Sequence, residues 1–208
     1  MRLFEFTESK KTGKLCILPG GFHIFSPGHL HMYLELRKKF PQAEVYIASS
    51  NVTTERPFPF DAKKFLAEQA GIPADKFVQV KNPYKSMEIT EKFDPHNTIL
   101  IFGISSKDKD RFGSPINKKG ELKYLQPYPG PTSLLSTFDT HAYYVTVPAV
   151  TFKVLGQTIN SASQVRKMYK EGSEITRQQI VRELYPNSTK INKIKSILDQ
   201  ILLDDFSN

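Results

Sequence analysis

Lys14-Leu15-Cys16-Ile17-Leu18-Pro19-Gly20-Gly21-Phe22-His23-Ile24-Phe25-Ser26-Pro27-Gly28-His29 is the stretch on which the fold turns. It opens with an almost wholly apolar run closed by Pro19, the pattern of a buried strand. Two glycines then allow a tight loop, and Ser26-Pro27 signals a helix. Ser26 can cap it, and Pro27 suits the first helical position, where a missing N–H costs nothing. Leu30, Tyr33, Leu34 and Arg37 follow at helical spacing, and Phe40-Pro41 marks the stop.

Outward from this unit the alternation continues. Residues 43–49 read as a second strand, and 62–70 as a helix capped by Asp61 and ended by Gly71. A short strand over 76–80, a short helix over 86–93 and a fully buried strand over 98–104 follow, and 142–150 is a further strand. Strands alternating with helices predict an α/β fold, a parallel sheet with helices on both faces. Between them, residues 107–128 are polar, Lys-rich and glycine-punctuated, which predicts a long surface excursion. Helical stretches at 163–170, 176–185 and 191–203 close the chain.

Composition bounds the partners. The chain has 208 residues, 39% apolar and 24% charged, which suits one folded domain with at most a small appendage. Its 29 basic and 21 acidic residues leave +8, so the expected partner is anionic: nucleic acid, a membrane surface or a phosphorylated small molecule. The bases are scattered in pairs such as Lys10-Lys11 and Lys118-Lys119, with no run of five, so no dedicated nucleic-acid arm and no specific nucleic-acid partner is expected. The single Cys16 excludes an internal disulfide framework and a multi-cysteine zinc site. Residues 1–11 break their apolar positions with Glu5 and Glu8, unlike a signal peptide, and no apolar run approaches a membrane span. A cytoplasmic location is expected, without a membrane partner; a homo-oligomer stays possible.

Two segments carry the chemistry. The first is residues 19–29, between a buried strand and a helix. Ligands of parallel sheets bind beyond the carboxyl ends of the strands, where glycines let the backbone approach an anion and the helix presents free N–H groups. His29, in the first turn, can reach the same anion. A capped strand-to-helix turn with a surface histidine reads equally well from spacing alone. The second is Asn160-Ser161-Ala162-Ser163-Gln164-Val165-Arg166, in which Ser161 or Ser163 can cap a helix and the Arg166 guanidinium can grip two phosphate oxygens. On its own it reads more readily as a structural helix start. His23, His29 and His31 crowd one segment, but 29 and 31 face different sides of a helix and lack an acidic neighbour, so no protein-held metal is expected.

Taken together, these segments resemble two signatures of the nucleotidyltransferase superfamily with HIGH-type motifs, in the expected order and separation. Residues 21–29 are similar to G-x-F-D/N-x-x-H/T-x-x-H, and residues 160–166 to I-S-S-T-x-I/V-R. Ser163 stands at the Thr and Arg166 at the Arg. Ser26 replaces His or Thr and keeps the hydroxyl of Thr; His23 replaces Asp or Asn. The loop from Ile104 through Ser105 to Phe112 falls where these enzymes contact the nucleotide. The resemblance spans roughly residues 14–170 and implies a Rossmann-like three-layer fold, with a nucleotidyltransferase domain over 1–170 and a helical extension over 171–208 packed on it.

It also implies a reaction. An oxygen of a phosphorylated small-molecule acceptor attacks the α-phosphorus of a nucleotide in line, and pyrophosphate leaves. His29, Ser26 and Arg166 are then the catalytic candidates. Gly20, Gly21, Phe22, His23, Gly28, Ser105, Ser161 and Ser163 are nucleotide-binding candidates, and Mg²⁺ is the cofactor, bound through the nucleotide phosphates. The Ser26 form favours ATP over CTP and is closest to the nicotinamide mononucleotide and phosphopantetheine adenylyltransferases. Arg56, Tyr84 and Lys85, in loops after the second and third strands, are acceptor-binding candidates, with nicotinamide mononucleotide first among acceptors. A cytidylyltransferase, a phosphopantetheine or FMN adenylyltransferase, and a catalytically lapsed nucleotide-binding protein are the alternatives.

Overall fold

Along the first strand, β1 (Lys11–Pro19), Leu15 and Ile17 point to one side of a sheet, and Cys16 and Leu18 to the other. All four are buried, as the apolar run requires. The computed structural model describes residues 10–54, 57–131 and 133–203. The elements that follow are α1 (Pro27–Lys39), β2 (Ala43–Ser49), α2 (Phe60–Gln69), β3 (Phe77–Gln79), α3 (Met87–Thr90), β4 (Phe93–Ser105), β5 (Leu125–Pro127), β6 (Ala142–Val147), β7 (Phe152–Val154), β8 (Gln157–Ile159), α4 (Ala162–Glu171), α5 (Glu174–Leu184) and α6 (Ile191–Leu203).

Six strands form one sheet in the order β3-β2-β1-β4-β6-β5, and every pairing in it is parallel. The fold is therefore the Rossmann-like α/β sheet, with the C-terminal helices added. Its two faces are unequally covered. Cys16, Leu18 and Ile101 share a core with residues of α1, α2, α4, α5 and α6, whereas Leu15, Ile17, Leu100 and Phe102 share a smaller one that includes Ile89 of α3, with Phe138 packed against it. The last three helices belong to the same core as the sheet, contributing Tyr169, Val181, Leu184 and Leu198.

Close approach of α1 to the sheet depends on one glycine. A Cβ built on Gly103 of β4 would lie 2.4 Å from Leu36 Cδ1, so any side chain there pushes the helix away. At the far end of β1, Glu44 joins Lys11 at 2.8 Å and Lys76 at 3.0 Å and accepts a hydrogen bond from the Tyr46 hydroxyl at 2.7 Å.

Several expectations shift. Helix α2 begins at Phe60, so Asp61 lies inside it; the Phe60 N–H is satisfied instead by Asn51 Oδ1 at 2.7 Å. Strand β6 stops at Val147, before Pro148, whose nitrogen has no hydrogen to give a ladder. The excursion over 107–128 carries two short elements, a 3₁₀ turn over Ser106–Phe112 that opens it and the edge strand β5 that closes it. The antiparallel hairpin of β7 and β8 was not foreseen. Its turn holds Leu155 and Gly156 at φ of 52° and 73°. Helix α4 is capped by Ser161, which places Arg166 a full turn inside it.

Candidate active site

The sheet order reverses between β1 and β4, whose outgoing connections run to opposite sides, and a crevice opens there beyond the carboxyl ends of the strands. It is a cleft of about 530 Å³. One wall is the loop after β1 with the first turn of α1, and the floor is the end of β4, Ile104 and Ser105, with Lys107 and Asp108 of the 3₁₀ turn after it. The other wall is Ala149, Val150 and Phe152 and the start of α4. No helix among the described residues is long and apolar enough to cross a membrane.

The loop after β1 is held under strain. Phe22 and Ile24 adopt φ of 50° and 65°, the left-handed region that costs a non-glycine residue about 1–3 kcal/mol. Aromatic packing maintains it: the Phe22 ring lies 5.7 Å from both Phe25 and Phe77 and is nearly buried. Phe22 also covers Gly20, where a Cβ would come within 2.8 Å of its ring. The Gly20 amide is committed to the Ala48 carbonyl at 3.0 Å, so it serves the sheet. At Gly28 a Cβ would meet only ordinary contacts, nearest Ser26 Oγ at 3.7 Å, so its smallness leaves space in the cleft wall.

Ser26 is the N-cap residue of α1, and His29 stands three residues on, at the place where a capping box usually has Glu. His29 Nδ1 accepts from the Ser26 N–H at 3.1 Å and lies 3.2 Å from Ser26 Oγ. Accepting at Nδ1 assigns the proton to Nε2, which makes the ring a neutral donor. The ring is packed among Phe22, 5.1 Å away, and Phe25, 5.5 Å away. That desolvation lowers its pKa to about 4.

Helix α4 brings the second segment to the same place. Arg166 Nη1 donates to the His23 carbonyl at 2.6 Å, and Nη2 to Ser163 Oγ at 2.9 Å. Ser161 Oγ accepts from the Gln164 N–H at 3.4 Å, so this serine works as the helix cap. His23 itself is buried, its ring 6.1 Å from Phe58. Across the floor, Ser105 Oγ accepts from the Lys107 N–H at 3.3 Å, and Lys107 Nζ donates to the Asn160 carbonyl at 2.8 Å. Lys107 was not singled out from sequence, although its place right after the buried strand 98–104 was a usable signal.

Of the sequence-derived candidates, His29, Ser26, Gly20, Gly21, Phe22, His23, Gly28, Ser105, Ser161, Ser163, Arg166 and Tyr84 all border this one cleft. Tyr84 is 45% exposed at its rim. Lys85 is exposed and does not border the cleft, and Arg56 lies outside the described residues. Among the described residues no three His, Cys, Asp or Glu side chains gather as a metal cage, and one carboxylate, Asp108, borders the cleft.

No family model matches the chain, and no curated protein matches it. Among solved structures it is similar to the nicotinic acid mononucleotide adenylyltransferase of Plasmodium falciparum complexed with NaAD, at 15% identity, over 92% of this chain and 98% of that one, with a TM-score of 0.54. The same enzyme complexed with APC aligns at 14% identity over 89% of this chain and 97% of that one, with a TM-score of 0.50. The likeness is one of fold.

Proposed function

We propose that the chain is a nucleotidyltransferase that moves AMP from ATP to a small phosphorylated acceptor and releases pyrophosphate, with a pyridine mononucleotide as the first candidate acceptor. One observation carries the reading: Arg166 and Ser163 of α4 line the same cleft as His29 and the capped first turn of α1, at the reversal point of the sheet, and Arg166 ties α4 to the loop before α1 through the His23 carbonyl. The fold shared with an enzyme named for nicotinic acid mononucleotide supports the acceptor class.

The chemistry is in-line displacement. An acceptor phosphate oxygen bonds to the α-phosphorus as the bond to the bridging oxygen breaks, so negative charge grows on the departing pyrophosphate. His29 offers Nε2–H to that charge as a neutral donor, and Arg166 offers a fixed cation beside it. Lys107 is the second cation of the cleft wall among the described residues. Together they match the residual charge, about −2, of a triphosphate already holding one Mg²⁺. The donor set fits a Mg²⁺ carried in by the phosphates, with Asp108 as the carboxylate within the cleft, rather than one caged by the protein. Magnesium supplies charge neutralisation when bound; positioning belongs to the chain. Tyr84, at the rim, has an aromatic face for the acceptor ring.

The test is direct. Incubating the protein with Mg²⁺, ATP or CTP and a panel of phosphorylated acceptors, including nicotinamide and nicotinic acid mononucleotides, should release pyrophosphate with one pair. Failure with every pair, beside normal ATP binding, would identify a nucleotide-binding protein without turnover.

A further inference from the structure

We propose that Tyr185, in the C-terminal helical segment, is a positioning residue for His29, acting through the single peptide group that joins Phe25 to Ser26. Its hydroxyl donates to the Phe25 carbonyl at 2.7 Å, in a buried contact 160 residues apart in sequence. The N–H of that same planar peptide is the Ser26 N–H that His29 Nδ1 accepts at 3.1 Å. Phenol, amide and imidazole therefore form one chain of hydrogen bonds. Donation to the carbonyl end polarises the N–H end, so the outer bond strengthens the inner one. Rotation of the peptide plane would break both, so Tyr185 fixes the direction from which His29 is held and the tautomer it keeps. Burial pushes the phenol well above its ordinary pKa, so it stays a donor throughout the working pH range. Helix α5 adds a second tie: Glu183 Oε2 accepts from the Leu155 N–H at 2.6 Å, holding the hairpin whose Phe152 borders the cleft beside Gly28.

The inference rests on the nucleotidyltransferase reading for its purpose, but its first readout needs no nucleotide. In Tyr185→Phe, ¹⁵N spectra of the ligand-free protein should show His29 losing its single Nε2–H tautomer, while the pKa near 4 that burial sets stays low. ATP affinity, by calorimetry, should fall about tenfold. Tyr169→Phe is the control: it removes a phenol bond of similar length, 2.8 Å to Asp199 Oδ1, within the same helices. It should lower the melting temperature and leave the His29 spectrum and ATP affinity within about twofold of the parent. An unchanged His29 tautomer in Tyr185→Phe, or the same change in Tyr169→Phe, overturns the proposal. Should Tyr185→Phe not fold, fluorotyrosine at 185 keeps the ring and makes a stronger donor, and the His29 Nδ1 resonance should then move; no movement overturns it as well. A parent protein that binds no ATP defeats the nucleotide reading, while the His29 spectra still decide this one.

Discussion

The guanidinium of Arg166 donates to the backbone carbonyl of His23, 2.6 Å away and 143 residues earlier in the chain. The bond fastens the two signature segments to each other, so Arg166 both builds the cleft and charges it. Arg166→Ala should lower turnover at least a hundredfold, on the scale of about 2.7–4 kcal/mol for deleting one preorganised donor. Arg166→Lys should recover little of it, since an ammonium cannot span His23 and Ser163 in the geometry of a planar fork. Steady-state pyrophosphate release checks both; rates within about threefold of the parent would remove Arg166 from the mechanism.

His29 makes stability depend on pH. Unfolded, it takes up a proton near 6.5; folded, only near 4. Above pH 6.5 both states are neutral there and its contribution is complete. As pH falls from 6.5 toward 4, the unfolded chain gains a proton that the folded one refuses, and stability drops. The loss has an upper bound on the order of 3 kcal/mol, at about 1.36 kcal/mol per pH unit, reduced where water reaches the ring. Urea unfolding at pH 7.5 and 4.5 should show this drop in the parent and a smaller one in His29→Gln.

Lys107 now donates to a neutral carbonyl, that of Asn160, and is exposed. A polyphosphate is the stronger acceptor, because charge-assisted hydrogen bonds are roughly twice as strong as neutral ones. Lys107→Ala should weaken ATP binding about tenfold and AMP binding by less than about twofold, with a shallower salt dependence for ATP. Calorimetry at two ionic strengths distinguishes this from general damage, which would weaken both nucleotides alike.

Gly103 has the opposite character, far more structural than chemical. Gly103→Ala should destabilise the fold by about 1–3 kcal/mol, the cost of overpacking a core. Leu36→Ala alone opens a cavity, but in the double variant the two changes should offset each other, since the clash is with Leu36 itself. Additive losses in a four-member thermal denaturation cycle would refute the contact.

Most of the sheet was legible because β1, β2 and the buried part of β4 are apolar on both faces, and continuous runs of that kind have few other destinations. Ser26 and Pro27 marked α1 to the residue for the same local reason. The hairpin of β7 and β8 escaped because it has three residues on each side and turns through Leu155, a residue that rarely adopts positive φ. Within the cleft, side chains near the two signatures could be named from local pattern. The tie of Lys107 to Asn160 could not, although its place after β4 pointed to the cleft, and outside the cleft the bond of Tyr185 to Phe25 is one that no spacing encodes. The commitment of the Gly20 amide to Ala48 was hidden likewise, being a matter of where β2 lies.

Strand β5 pairs with β6 alone, and β6 lies between it and β4, although β5 comes first in the chain. During synthesis, β5 therefore emerges before the template it needs. Its place in the sheet can be taken only once residues 142–147 have been made. Three residues ending in Pro127 make a poor template for a foreign strand, which blunts the edge that β5 presents in that interval.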